Sequence, residues 1–177
     1  AQEVPILTQN FKAHDVTMVI DTSDDFGRYI AYNTWQAKPI VGTEGLAARG
    51  WSEVIERWGA AQLQSRFEAL SGRSMRADDY AAWAAMRSVG EAVTRTGSAE
   101  AATLRSYMLS DQFELAGFKG RALSYRDWNG QLRQPIPLVT DRAMVAIAPL
   151  PGFLHQQTEL DTLGLDRFES RCQAFQP

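Results

Sequence analysis

Phe113–Val139 reads FELAGFKGRALSYRDWNGQLRQPIPLV, and this stretch decides how the chain is read. Asn129-Gly130 lies between two runs able to extend as strands, Arg121–Arg126 and Gln131–Val139. An Asn-Gly pair supplies the positive φ angles of a tight two-residue turn, so a type I′ β-hairpin is expected there, with Trp128 fixing it against the body. Leu123 and Tyr125 alternate with Ala122, Ser124 and Arg126, the period-2 pattern of a half-buried strand. Gly117 and Gly120 punctuate the approach.

Upstream lie the helical segments. Trp51–Leu70 carries apolar residues at 51, 54, 55, 58, 63, 67 and 70, which predicts one amphipathic helix stopped by Gly72 and supported by a Glu53–Arg57 pair. Asp78 or Asp79 is placed to cap a second helix running to about Thr96. Tyr80, Trp83, Met86, Val89 and Val93, with many alanines, make it apolar over most of its girth, so it is expected to be largely buried. Ser98 opens a shorter helix through Leu109.

Nearer the start, Asp15–Ile20 (DVTMVI) is a β-branched run that reads as a buried strand ending in the polar loop Asp21-Thr22-Ser23-Asp24-Asp25. Pro39–Val41 is a second short strand, followed by Gly42-Thr43-Glu44-Gly45. Both read as strands of a parallel sheet, whose ligands gather outside the strands' carboxyl ends. Thr22, Ser23, Asp24, Thr43 and Glu44 are therefore the candidate binding residues, although the pattern alone favours reading Glu44 as an exposed loop acid over a carboxylate presented into a cleft. Met144–Ala148 is a further strand, and Phe153–Pro177 is polar and irregular with room for short helical turns.

Composition narrows the chemistry. The 177 residues are 45% hydrophobic and include five Trp, enough for a packed core. A net charge of −3 and the lack of any Lys/Arg run give no nucleic-acid footprint. Cys172 is the single cysteine, which excludes an intrachain disulfide and a cysteine-built zinc site. The opening AQEVPILTQ has neither an initiator Met nor a signal-peptide pattern, so the chain is expected to start inside a longer gene product.

Enzymatic readings find little support. Asp21-x-Ser23-x-Asp25 starts like a calcium loop, but Gly27 falls one position late and Tyr32 stands where a bidentate Glu is needed. His155, Asp161 and Ser170 can be written as a hydrolase trio, yet no Gly-x-Ser-x-Gly elbow accompanies them, and the other histidine, His14, lies far off in sequence. No cofactor fingerprint is present, so neither turnover nor a cofactor is expected.

The order of these elements carries a resemblance. The Gly-x-Glu-Gly loop, the Asp79–Ala82 helix start, Phe118-Lys119-Gly120 and Trp128-Asn129-Gly130-Gln131 resemble the C-terminal part of the type I periplasmic solute-binding proteins of ABC importers. DYAAWAAMRSVGEAVTR, FKGRALSYRDWNGQLRQPI and GFLHQQTELDTLG are similar to the subgroup associated with pyrroloquinoline-quinone (PQQ)-dependent alcohol dehydrogenase systems. The resemblance implies an α/β chain located in the periplasm. Residues 1–177 would form the C-terminal portion of a bilobed fold, a parallel sheet flanked by helices plus a C-terminal β-hairpin. A small solute would sit between this portion and an N-terminal lobe of the same protein, and an ABC permease would be the partner. Glu44 occupies the place of a Glu that holds a ligand's amino group, while the Asp21–Phe26 loop lacks the Gly and Tyr residues common in amino-acid binders. Strands that return to the missing lobe, Pro39–Val41 or Met144–Ala148 among them, would expose apolar surface and unpaired edges, which predicts weak or no solute binding and a chain that either associates with another copy or stays tied to a cleaved N-terminal piece. The alternative is a non-transport accessory or maturation partner of a quinoprotein dehydrogenase using the same fold.

Overall fold

The computed structural model describes residues 2–23 and 26–175. The chain is mixed α/β, with four α-helices and three small sheets among the described residues. A short helix, α1 (Val4–Thr8), precedes β1 (Thr17–Val19) and β2 (Ile40–Gly42), which pair in parallel with Thr17 opposite Ile40. The expected parallel sheet flanked by helices is corrected: among the described residues, parallel pairing of strands is confined to these two. The remaining strands are antiparallel: β3 (Ala47–Ala48) pairs with β7 (Ile136–Val139), which pairs with β8 (Met144–Ala148). A second antiparallel sheet orders β4 (Leu115–Ala116), β5 (Ala122–Tyr125) and β6 (Leu132–Arg133).

The hairpin is present, with a different turn. Arg126 and Gln131 pair through Arg126 N–H to Gln131 O at 2.9 Å, so the loop holds four residues, Asp127 to Gly130, rather than two. Gly130 alone takes positive φ (+69°), and Asn129 does not, which excludes type I′. The Asn129 side chain instead accepts from Gln131 N–H at 3.0 Å. The second strand is shorter than expected, because Pro135, which has no N–H, separates β6 from β7 and sends them to different sheets. Pro137 likewise marks where β3 stops: its carbonyl takes the last bond, from Arg49 N–H at 3.0 Å.

Helix α2 spans Ala60–Ser71, not Trp51–Leu70. Trp58 and Gly59 both have positive φ (57° and 79°), a conformation that cannot continue a right-handed helix. The apolar residues ahead of them are nonetheless buried, since Trp51 and Ile55 insert into the core from an irregular segment. Glu53 therefore makes no helical pair; its carboxylate accepts from the Ser74 hydroxyl.

Helix α3 spans Ala77–Thr96 with Arg76, not Asp78 or Asp79, at its N-cap; both aspartates lie in the first turn, where the Asp79 carboxylate accepts Arg76 N–H at 2.9 Å. It is buried on one face only, through Tyr80, Ala84, Ser88 and Ala92, while Met86, Val89 and Val93 are exposed. Its partners α4 (Ala101–Met108) and β4 cover that single face, and Ser98 stabilises the preceding turn by accepting Glu100 N–H at 3.0 Å.

The core lies between α2, α3 and the β4–β5 ribbon. The Trp51 ring stacks on Tyr80 at 4.7 Å between centroids and 9° between planes. Tyr80 in turn tilts onto Trp83, and Phe113 onto Tyr125. Burial pushes the Tyr80 phenol up, and its hydroxyl donates to the Gly117 carbonyl at 2.7 Å. Against the same ring, 4.3 Å from its centroid, sits the buried ammonium of Lys119. Lys119 donates to Gln134 Oε1 at 2.6 Å, and desolvation lowers it to about 7.

Candidate functional site

The carboxyl ends of β1 and β2 place the candidate residues, and glycine geometry fixes how. Gly42 has φ +116°, and a Cβ there would lie 2.1 Å from the Val19 carbonyl oxygen, so β1 and β2 approach closely only because no side chain intervenes. Leu46 N–H then returns to Ile40 O at 2.9 Å, folding residues 42–45 into a tight loop with Glu44 near its apex. Glu44 is 5% exposed. Its Oε1 lies 3.8 Å from Arg49 Nη2, which also donates to the Thr43 carbonyl at 2.9 Å.

Glu44 lines an open cavity of about 380 Å³ with Arg28, Arg49, Ser52, Glu53 and Asp141 among its walls. Two guanidiniums face three carboxylates there, with serine and threonine hydroxyls between them. Such a lining suits a small ligand carrying both a cationic and an anionic or hydroxyl group. Asp141 and Thr140 come from the tip between β7 and β8, so the cavity is closed by a hairpin distant in sequence.

The other candidate residues do not converge on it. The Thr43 hydroxyl accepts from Asp21 N–H at 2.8 Å and donates to Val19 O at 3.3 Å, which ties the two loops together. Thr22 is exposed and outside the cavity lining. Ser23 lines a separate groove beside α1 and β1, and its N–H donates to Asp21 Oδ1 at 3.1 Å. Asp24, and with it Asp25 of the calcium-like loop, lies outside the described residues.

Asp21 is not among the candidates, yet it organises the loop. Its Oδ2 accepts from Phe26 N–H at 2.9 Å and Gly27 N–H at 2.6 Å. Gly27 is pressed between two carboxylate side chains: a Cβ there would lie 2.8 Å from Glu44 Cγ and 3.0 Å from Asp21 Cβ. The signal available in the sequence is an Asp at a strand's end followed by turn residues, the usual setting for such backbone capping. Arg49, Ser52 and Glu53 are further cavity residues that the sequence reading misses, although they follow Glu44 by fewer than ten positions.

The histidine trio is not assembled. His155 Nε2 lies 3.3 Å from Asp166 Oδ2, and its Nδ1 accepts Gln157 N–H at 3.2 Å, while Ser170 Oγ accepts Cys172 N–H. Hydrogen bonds from Arg167 N–H and from His155 hold the Asp166 carboxyl below its usual range. Asp161 is elsewhere, in a buried cluster under the hairpin. Its Oδ1 accepts from Arg126 Nε and Arg133 Nε, both at 2.8 Å, and its Oδ2 has no partner among the described residues. Trp128 packs against the guanidiniums of Arg126, Arg133 and Arg167 at 5.0–5.8 Å from its ring. Through this cluster the segment around the 3₁₀ turn Glu159–Thr162 clasps the hairpin.

Among the described residues no group of three His, Cys, Asp or Glu is placed to hold a metal ion, and no helix is long and apolar enough to cross a membrane. No family model, curated protein or solved structure matches the chain.

Proposed function

We propose that this chain carries one wall of a solute-binding site centred on Glu44. In this reading it is part of the periplasmic substrate-binding component of an ABC transporter linked to PQQ-dependent alcohol oxidation. The observation that supports it is a nearly buried carboxylate presented into a polar cavity at the carboxyl ends of two parallel strands. A buried carboxylate beside a guanidinium and open to solvent on one side favours a ligand with an amino group, which gives it a charge-assisted hydrogen bond. The ligand would enter between this wall and an N-terminal lobe, the arrangement implied by the sequence resemblance. The deciding experiment is mass spectrometry of small molecules that co-purify with the protein, followed by calorimetric titration of the molecule found. Loss of heat on substituting Glu44 supports the site; retention of full affinity sinks it.

A second reading has its own observation. Phe153, Leu154, Leu165 and Phe168 are exposed on the C-terminal segment, Phe168 at 94%. An accessory of a quinoprotein dehydrogenase would dock through these groups where they form one contiguous patch, since singly scattered apolar residues need no partner. Co-sedimentation with such a dehydrogenase that is abolished by Phe168→Ser, with no solute bound, would favour it.

A further inference from the structure

The ladder between β1 and β2 uses only alternate residues of β1. Thr17 N–H donates to Pro39 O at 2.9 Å, and Val19 O accepts Thr43 N–H at 3.0 Å, so the backbone groups of Thr17 and Val19 face β2. By the alternation of a parallel ladder, those of Met18 face the opposite edge, flanked by Val16 and Ile20. That edge has no strand beside it among the described residues, whereas β2 bridges Leu46 on its outer side. Residues 16–20, VTMVI, contain no lysine or proline to blunt the edge, whose protection is the shortness of β1, three residues.

We propose that this edge pairs with a second copy of itself, giving a two-fold dimer in which Met18 lies opposite Met18 in antiparallel register. A residue whose N–H and C=O both point outward is self-complementary under a two-fold axis, because the two copies exchange both bonds. The same register sets Val16 opposite Ile20 of the other copy, so all the outward side chains of the joined strands are apolar. Met18 and Ile20 are 68% and 76% exposed. With Leu7, Phe11 and Phe26 they line an apolar groove of about 510 Å³ beside the edge, in which the second strand would seat.

The area reaches the threshold when the whole patch is covered. At roughly 200 Å² for a large apolar side chain, these five partly exposed groups leave on the order of 600 Å² open, the upper end of the largest patch on an ordinary monomer. Two such faces, if wholly covered, bury at most about 1,200 Å², the lower bound for a stable specific interface. The register also carries a cost, since Asp15 falls opposite Asp21 of the second copy, and like charges across a pair oppose it. The inference does not depend on what the Glu44 cavity binds.

Sedimentation velocity on the full chain across the micromolar range should show a reversible monomer–dimer equilibrium. Met18→Lys, at an exposed position, should raise the dissociation constant at least tenfold with an unchanged circular dichroism spectrum, while Asp15→Asn should lower it. Met18→Cys in a Cys172→Ser background should form a disulfide dimer on mild oxidation, because a hydrogen-bonded antiparallel pair holds its Cα atoms about 5.5 Å apart. A chain that stays monomeric, as it would if this edge served a different polypeptide, overturns the proposal. So does a dimer that ignores Met18→Lys, or one in which the Met18→Cys substitution gives no cross-link.

Discussion

Asp161 and Arg126 meet inside the protein, Oδ1 to Nε at 2.8 Å, with side chains 0% and 3% exposed. Arg133 shares the same oxygen, so one carboxylate offsets two guanidiniums at the base of the hairpin. Arg126 is otherwise satisfied by the Gln131 side chain and the carbonyls of Leu160 and Leu163. Removing the carboxylate leaves buried positive charge without compensation. Asp161→Ala should therefore cost about 3–5 kcal/mol in urea unfolding, the range for breaking a buried pair from one side. A loss below about 1 kcal/mol, the value of an exposed pair, would mean that solvent reaches the cluster.

Lys119 gives stability a pH dependence of known sign. Burial lowers its folded pKa from 10.5 to about 7. Between those values the unfolded chain holds a proton that the folded chain has released, so stability rises with pH from about 7 to about 10.5. Below this window both states carry the charge, and the folded state bears its full desolvation cost. Comparing urea midpoints of the native chain with Lys119→Met from pH 7 to 10 isolates the effect, because other titrating groups cancel in the difference. The gap between the two should narrow as pH rises; a constant gap would show that Lys119 stays charged throughout.

Gly27 is a steric gauge of the Glu44 cavity. Its φ is not positive, so an added methyl meets no backbone penalty, only the Glu44 and Asp21 side chains. Gly27→Ala should destabilise by about 1–3 kcal/mol through overpacking. It should also weaken solute binding, since Glu44 must move to make room. Full affinity in this variant would detach Glu44 from the ligand.

Glu44→Gln keeps the shape and removes the charge. For an amine-bearing solute the expected loss is about 1.5–3 kcal/mol, the worth of a hydrogen bond to a charged group. Calorimetry on the solute identified by mass spectrometry reads this directly. Undiminished affinity would leave the loop as bystander surface.

The parts of this fold legible in the sequence are those set by local chemistry. Helix α3 announces itself by Asp79 in its first turn and by its Gly97 stop. Short β-branched runs ending in polar turns locate β1 and β2, but β1 is not the buried strand expected over Asp15–Ile20: Val19 is buried, while Val16, Met18 and Ile20 are exposed. Periodicity fails at Trp51–Trp58, because a buried irregular segment and a helix place apolar residues at similar intervals, and only the positive φ of Trp58 separates them. Asn129-Gly130 locates the hairpin but misjudges its length, since Asp127 and Trp128 are held in the loop by partners some forty residues away. The same limit applies at the site. Glu44 is visible from its two flanking glycines, whereas Thr140 and Asp141 reach the cavity only because Pro135 redirects the chain into another sheet.

Pro135 thus makes one continuous ribbon serve two masters. Residues 132–133 belong to the sheet held by the Arg–Asp161 clasp, while residues 136–139 lead, through a register irregularity at Leu138/Val139, to the tip that closes the Glu44 cavity. Gln134, between them, is anchored by Lys119 from the core. A joint pinned in this way is expected to couple the two sheets. Filling the cavity is expected to slow amide exchange at Leu132 and Arg133 together with Val139, so that occupancy at one end is legible in the stiffness of the other. If only Val139 responds, the joint is a hinge, and the two sheets keep their own time.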